Sequence, residues 1–120
     1  MADHGRIPTW RRGMEFAHTV CAAVAGGPLG GTDAGQRLRK AAVSVPSLVG
    51  EAFLDPGAAE AGRTLLAAAE KLAEVAGILS LDPIRQALGE PERTALLREI
   101  DVLRAELEVL RGSLPGGTSH

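Results

Sequence analysis

One hundred and twenty residues make one domain of ordinary size and exclude two. One Trp, two Phe and no Tyr leave the core aliphatic, and a composition rich in Ala and Leu favours helix over strand. A formal charge of −2 excludes a surface coated in cations for nucleic acid, and the single Cys21 excludes an internal disulfide or a paired-cysteine metal or redox motif.

Residues 1–8 are expected to form a flexible N-terminus. The first helix is expected over 9–25, where Trp10, Met14, Ala17, Cys21 and Val24 are spaced 4, 3, 4, 3 and draw one apolar stripe. It ends at Gly26-Gly27-Pro28, since glycine accepts a left-handed cap and proline cannot continue a helix. The second helix, over 33–53, starts where Thr32 or Asp33 can cap the free amides. Leu38, Ala42, Val45, Val49 and Ala52 repeat the same spacing. Pro46 lies inside this helix, removes one hydrogen bond and crowds the preceding turn, so a kink or local break is expected near Val43 to Val45.

The third helix is expected over 56–80, with Asp55 as its cap and Pro56 as its first residue. Leu65, Ala69, Leu72, Ala76 and Leu79 carry its stripe, and many neighbouring alanines keep the helix slim. Asp82-Pro83 restarts a short turn of helix that Gly89 ends. The fourth long helix, over 91–112, has the most regular stripe, Leu96, Ile100, Leu103, Leu107 and Leu110, with Arg104, Glu108 and Arg111 placed for modest surface ion pairs. Residues 113–120 are expected to be a disordered tail. Four amphipathic helices joined by short connections predict an all-α fold, an antiparallel four-helix bundle over 9–112.

Charge is distributed unevenly along the chain. Residues 1–50 hold six basic residues against three acidic, and residues 51–120 hold seven against twelve. Such asymmetry suits helices that set basic faces against acidic ones, within one molecule or between copies. The basic cluster Arg37, Arg39 and Lys40, with Arg11 and Arg12, is a candidate contact for phosphates or for another subunit. Scarce aromatics leave little to stack on bases, so pairing with acidic residues of helices three and four or of another subunit is favoured over nucleic acid.

No arrangement for catalysis is complete. Glu15-x-x-His18 has the form of a di-iron bundle ligand pair, yet no second such pair exists and His4 and His120 lie at the ends. His18 and Cys21 stand one turn apart without a third group to orient them, and Cys21 falls on the expected core stripe. The Gly26–Gly31 loop lacks the Lys-Ser/Thr and preceding strand of a phosphate loop. No catalytic residue, metal or cofactor is therefore expected.

Residues Arg37-Leu38-Arg39-Lys40-Ala41-Ala42-Val43-Ser44-Val45-Pro46-Ser47-Leu48-Val49-Gly50-Glu51 resemble the signature of a bacterial family of small four-helix-bundle proteins, first noted as products of intervening sequences in 23S ribosomal RNA genes. Trp10 looks like the tryptophan that opens helix one of that family, and Leu65, Ala68, Leu72 and Glu74 look like its run in helix three. Leu48 stands where the family usually has Asn, Ala52 where it has Gly, and Glu70-Lys71 where it has Gly-Ser. The resemblance implies a bundle without established catalysis, often a ring-like homo-oligomer, related to accessory proteins of diversity-generating retroelements that hold nucleic acid.

The expected function is that of a non-enzymatic scaffold that self-associates, with a nucleic-acid-binding module as the alternative. Arg11, Arg12, Arg37, Arg39, Lys40 and Glu51 are the expected contact residues. No signal peptide and no run of roughly 18 apolar residues is present, so a cytoplasmic location without membrane contact is expected.

Overall fold

The computed structural model describes residues 6–54 and 57–114. The fold is all-helical among the described residues, with five α-helices: α1 (Arg6–Ala25), α2 (Asp33–Leu54), α3 (Ala58–Leu79), the short α4 (Asp82–Ala87) and α5 (Glu90–Gly112). No helix among them is long and apolar enough to cross a membrane.

α1 starts at Arg6, so Arg6 to Pro8 belong to the helix and not to a flexible end; proline is tolerated here because a first-turn amide needs no intrahelical partner. After α1 a 3-10 turn, Pro28–Gly31, tucks Leu29 into the core. Thr32 then fastens the loop to α2. Its hydroxyl donates to the Leu29 carbonyl at 2.9 Å and accepts from the Gly35 amide at 3.0 Å, so Thr32 and not Asp33 caps the helix.

α2 runs unbroken through Pro46, where a local break was one of two expectations. Two features accommodate the proline. Gly13 of α1 faces it, with room for a Cβ only 3.7 Å from the Pro46 Cα and Cβ, so the buried ring occupies the space a larger α1 side chain would take. The hydroxyls of Ser44 and Ser47 donate back to the carbonyls of Lys40 and Val43, at 2.9 and 3.3 Å, bonding the turns around the ring.

α3 starts at Ala58 with Gly57 at its N-cap; Asp55 and Pro56, the expected start, lie outside the described residues. α5 is followed by an ordered turn rather than a tail at 113–114. Ser113 donates its hydroxyl to the Leu110 carbonyl, and the Leu114 methyl lies 3.6 Å from where a Gly62 Cβ would stand. The other expected tail residues, 115–120, are outside the described range.

One core joins the long helices. α2 packs against α1 and α3, α3 against α5, and α5 returns to α1 along the sparsest of these contacts. The whole expected stripes of α2 and α5 are buried. In α3 the buried line is Ala61, Leu65, Ala68, Leu72, Val75 and Leu79, while Ala69 and Ala76 are half-buried beside it. α1 departs most. It is rotated so that Thr9, Gly13, Phe16, Val20 and Val24 face inward with Ala17, while Trp10 and Met14 are exposed and Cys21 is half-buried.

Candidate association surface

The rotation of α1 leaves apolar side chains outside, and they collect against α2. Trp10, Met14, Ala17, His18 and Cys21 of α1 meet Val43, Pro46 and Ser47 of α2 along an open groove of about 290 Å³. Trp10 is 41% exposed, Met14 46% and Val43 40%, which sets them apart from the sealed core. The indole lies beside Gly50 of α2, where an added Cβ would stand in ordinary contact, 3.6 Å from the Trp10 Nε1. Elsewhere between the two helices the guanidinium of Arg6 lies 5.1 Å over the Phe53 ring, and Ile7 and Leu54 are exposed.

No carboxylate lines this groove. Glu15 is turned to the opposite flank of α1, into the cleft facing α5, so Glu15 and His18 stand on different faces and the Glu-x-x-His spacing does not converge. His18 and Cys21 do share the groove, and Cys21 lines it instead of the core. Among the described residues no group of three or more His, Cys, Asp or Glu is placed to hold a metal ion.

The expected basic cluster does not stay together. Arg12 reaches from α1 to α5, its Nε 3.1 Å from Glu106 and its Nη1 3.4 Å from Glu99. Attraction by Glu106, reinforced by the hydrogen bond to Glu99, pushes the guanidinium pKa above its ordinary value and keeps it charged. Arg37 and Lys40 turn toward α3, where they line a notch of about 250 Å³ with Ser44, Lys71 and Glu74. Arg39 donates instead to the Gln36 side chain at 3.3 Å, one turn from Val43. Arg11 and Glu51 are exposed.

Arg12 is the one cation among the described residues whose ion pairs join two helices. The remaining pairs, Arg63 with Glu60, Lys71 with Glu74, Arg93 with Glu90 and Arg111 with Glu108, each span a single helical turn. Arg11, Arg37, Arg39 and Lys40 therefore have no carboxylate partner among the described residues, and the cationic side of α1 and α2 stays uncompensated within one copy.

Comparison with protein-family models, curated proteins and solved structures finds no match to this chain.

Lys71 was missed by the sequence reading because it lies far from Arg37 and Lys40 along the chain and joins them only when α3 packs on α2. The apolar groove was missed for a different reason. The spacing of Trp10, Met14, Ala17 and Cys21 marks a stripe on α1 but does not say which way that stripe faces.

Proposed function

We propose that this chain is a non-enzymatic, antiparallel four-helix-bundle protein that self-associates and serves as an interaction scaffold. The observation that carries the reading is the apolar face of α1 and α2, where the only Trp of the chain stands beside Met14 and Val43 in a groove that no carboxylate lines. Exposed aromatic and Met side chains grouped on one face are characteristic of interface centres.

A second copy suits this face by charge. Residues 6–54 carry six basic side chains against three acidic, net +3, and residues 57–114 carry seven against ten, net −3. The α1–α2 side of one copy thus complements the α3–α5 side of another, which guides encounter and disfavours docking of two cationic sides. The likeness of residues 37–51 to the bundle family associated with 23S ribosomal RNA intervening sequences points the same way. The free thiol of Cys21 suits a reducing, cytoplasmic setting.

Light scattering at micromolar concentration tests the reading. The protein is expected to run as a multiple of the protomer mass, and the double variant Trp10→Glu with Val43→Asp as a monomer with unchanged helical circular dichroism. A strictly monomeric wild-type protein overturns it.

One observation favours a second reading, a nucleic-acid-binding module. Arg37, Lys40 and Lys71 line a single notch, three cations against the one carboxylate of Glu74. Phosphate contact there predicts affinity for a labelled oligonucleotide that falls steeply with salt. Replacing all three cations by Ala is expected to flatten that dependence; binding unchanged by the triple substitution sinks this reading.

A further inference from the structure

The outer face of α5 carries apolar side chains that the rest of the same copy leaves exposed. Val102 is 41% exposed and Val109 71%. They stand seven residues apart, on a line that begins at Ala95 and takes in Arg98 and Ala105, all exposed. The buried stripe of α5, Leu96 to Leu110, runs along another side of the helix. In the acidic half of the chain the other exposed large apolar side chains among the described residues, Leu66 and Leu81, stand singly on different segments. The ridge of α5 is therefore the place in that half where exposed apolar side chains fall into line.

This ridge matches the α1–α2 groove in length and in shape. Trp10, Met14 and Cys21 follow one another on α1 in steps of four and seven residues, and Arg98, Val102 and Val109 repeat those steps on α5. At the helical rise each run covers roughly 16 Å. The groove presents the bulky side chains, Trp10 and Met14, while the ridge presents valine and alanine. A helix with so slim a face can lie close against large side chains on its partner.

Charge selects between the possible pairings. α5 carries six acidic side chains against four basic, net −2, while α1 and α2 together carry six basic against three acidic, net +3. Groove against groove would oppose two copies of Arg11 and Arg39, neither of which has a carboxylate partner among the described residues. The one cation on the ridge, Arg98, also fits the groove. Glu51 is exposed, has no ion pair among the described residues, and follows Gly50, beside which the indole lies.

We infer that the outer ridge of α5 seats in the α1–α2 groove of a second copy, with Arg98 at the Trp10 end beside Glu51 and Val109 at the Cys21 end. The inference rests on the self-association reading and names the surface that meets the groove. Because the two faces differ, the contact is head-to-tail. A pair of copies leaves one groove and one ridge open, so assembly continues past two.

Complementary broken faces test this. Val102→Arg with Val109→Arg, both at exposed positions, is expected to give a monomer with unchanged helical circular dichroism, as is Trp10→Glu with Val43→Asp. Neither assembles alone, yet each keeps the face the other lacks, so equimolar mixing is expected to give a one-to-one dimer and nothing larger by light scattering. In the isotope-labelled ridge variant, the indole N–H resonance of Trp10 is expected to shift on adding the unlabelled groove variant and to stay fixed on adding more ridge variant. Val109→Arg alone, at the more exposed position, is expected to weaken assembly about tenfold. Val109→Ala keeps the ridge small and uncharged and is expected to leave assembly in place. Glu51→Arg and Arg98→Glu are each expected to weaken it about fivefold, and the two in one chain to restore it. A ridge variant that assembles like wild type overturns the inference and leaves self-association standing. An indole unmoved by the groove variant overturns it as well, and losses that add in the Glu51–Arg98 double variant overturn the orientation. A strictly monomeric wild-type protein overturns the self-association reading itself.

Discussion

Leu103→Ala is expected to destabilise the protein by about 2–5 kcal/mol, the range for emptying a leucine-sized volume in a packed core. Leu103 is fully buried in the middle of α5, flanked along its stripe by Ile100 and Leu107. The aliphatic core offers few large neighbours to collapse into the space, since Phe16 is its only buried aromatic among the described residues. For a domain of this size the loss lowers Tm by roughly 10 °C or more. Val109→Ala is the control. Val109 is 71% exposed on the same helix, and its truncation is expected to change stability by less than ~0.5 kcal/mol. Thermal or urea unfolding of the two variants checks both, and similar values for the two would mean that the stripe of α5 does not face the core.

Gly35→Ala is the second large effect, and helix propensity alone assigns it the wrong sign. Within a helix the change is worth about 1 kcal/mol in favour of alanine. Here, however, a Cβ would stand 2.1 Å from the Leu29 carbonyl oxygen and 3.0 Å from the Leu29 Cβ. That oxygen belongs to backbone and also accepts the amide and hydroxyl of Thr32, so it cannot swing aside alone. The methyl group must push the 3-10 turn off α2, lifting buried Leu29 and straining the Thr32 cap. Overpacking of this kind costs ~1–3 kcal/mol or more, which exceeds the propensity gain and leaves the variant less stable than wild type. Gly77→Ala in α3 is the matched case, with nothing within 4 Å of the added methyl, and is expected to stabilise by up to about 1 kcal/mol. Opposite signs from the same substitution at two helical glycines, read by chemical denaturation, are the expected result.

The four long helices were legible because spacing and punctuation agreed. Each stripe lay between glycine or proline signals, and α2 and α5 bury every residue their spacing selected. α1 was legible as a helix and illegible in rotation. Two lines of side chains run along it, Trp10–Met14–Cys21 and Gly13–Phe16–Val20, with Ala17 and Val24 common to both patterns. Hydrophobicity ranks the first line higher, because Gly13 and Thr9 contribute almost nothing to it. Packing chooses the second: Gly13 sets α1 against Pro46 of α2, and Phe16, Val20 and Val24 fill the core behind it. Phe16, Val20 and Val24 at successive four-residue steps were the signal that could have revealed it.

The candidate surface inherits the same lesson. Spacing selects its α1 residues, but only tertiary contact decides that they face outward. The basic residues show the converse: their number was plain, while their division among Glu99 and Glu106, the α2–α3 notch and Gln36 depends on which helix stands opposite. Charge counting along a chain cannot supply that, because a partner across two helices is invisible to local spacing.

The sparse seam between α1 and α5 also bears on how the molecule opens. α1–α2, α2–α3 and α3–α5 are joined by short connections, so their contacts close small loops and form early. The α1–α5 seam closes the longest loop in the domain and returns the fewest contacts for it. Thermal fluctuation therefore releases α1 from α5 before α2 parts from α3, and amide exchange with solvent is graded in that order. α5, held only by α3 and by this seam, is thus the most easily detached of the long helices, while α1, α2 and α3, joined by the richest packing, form the persistent nucleus of the fold.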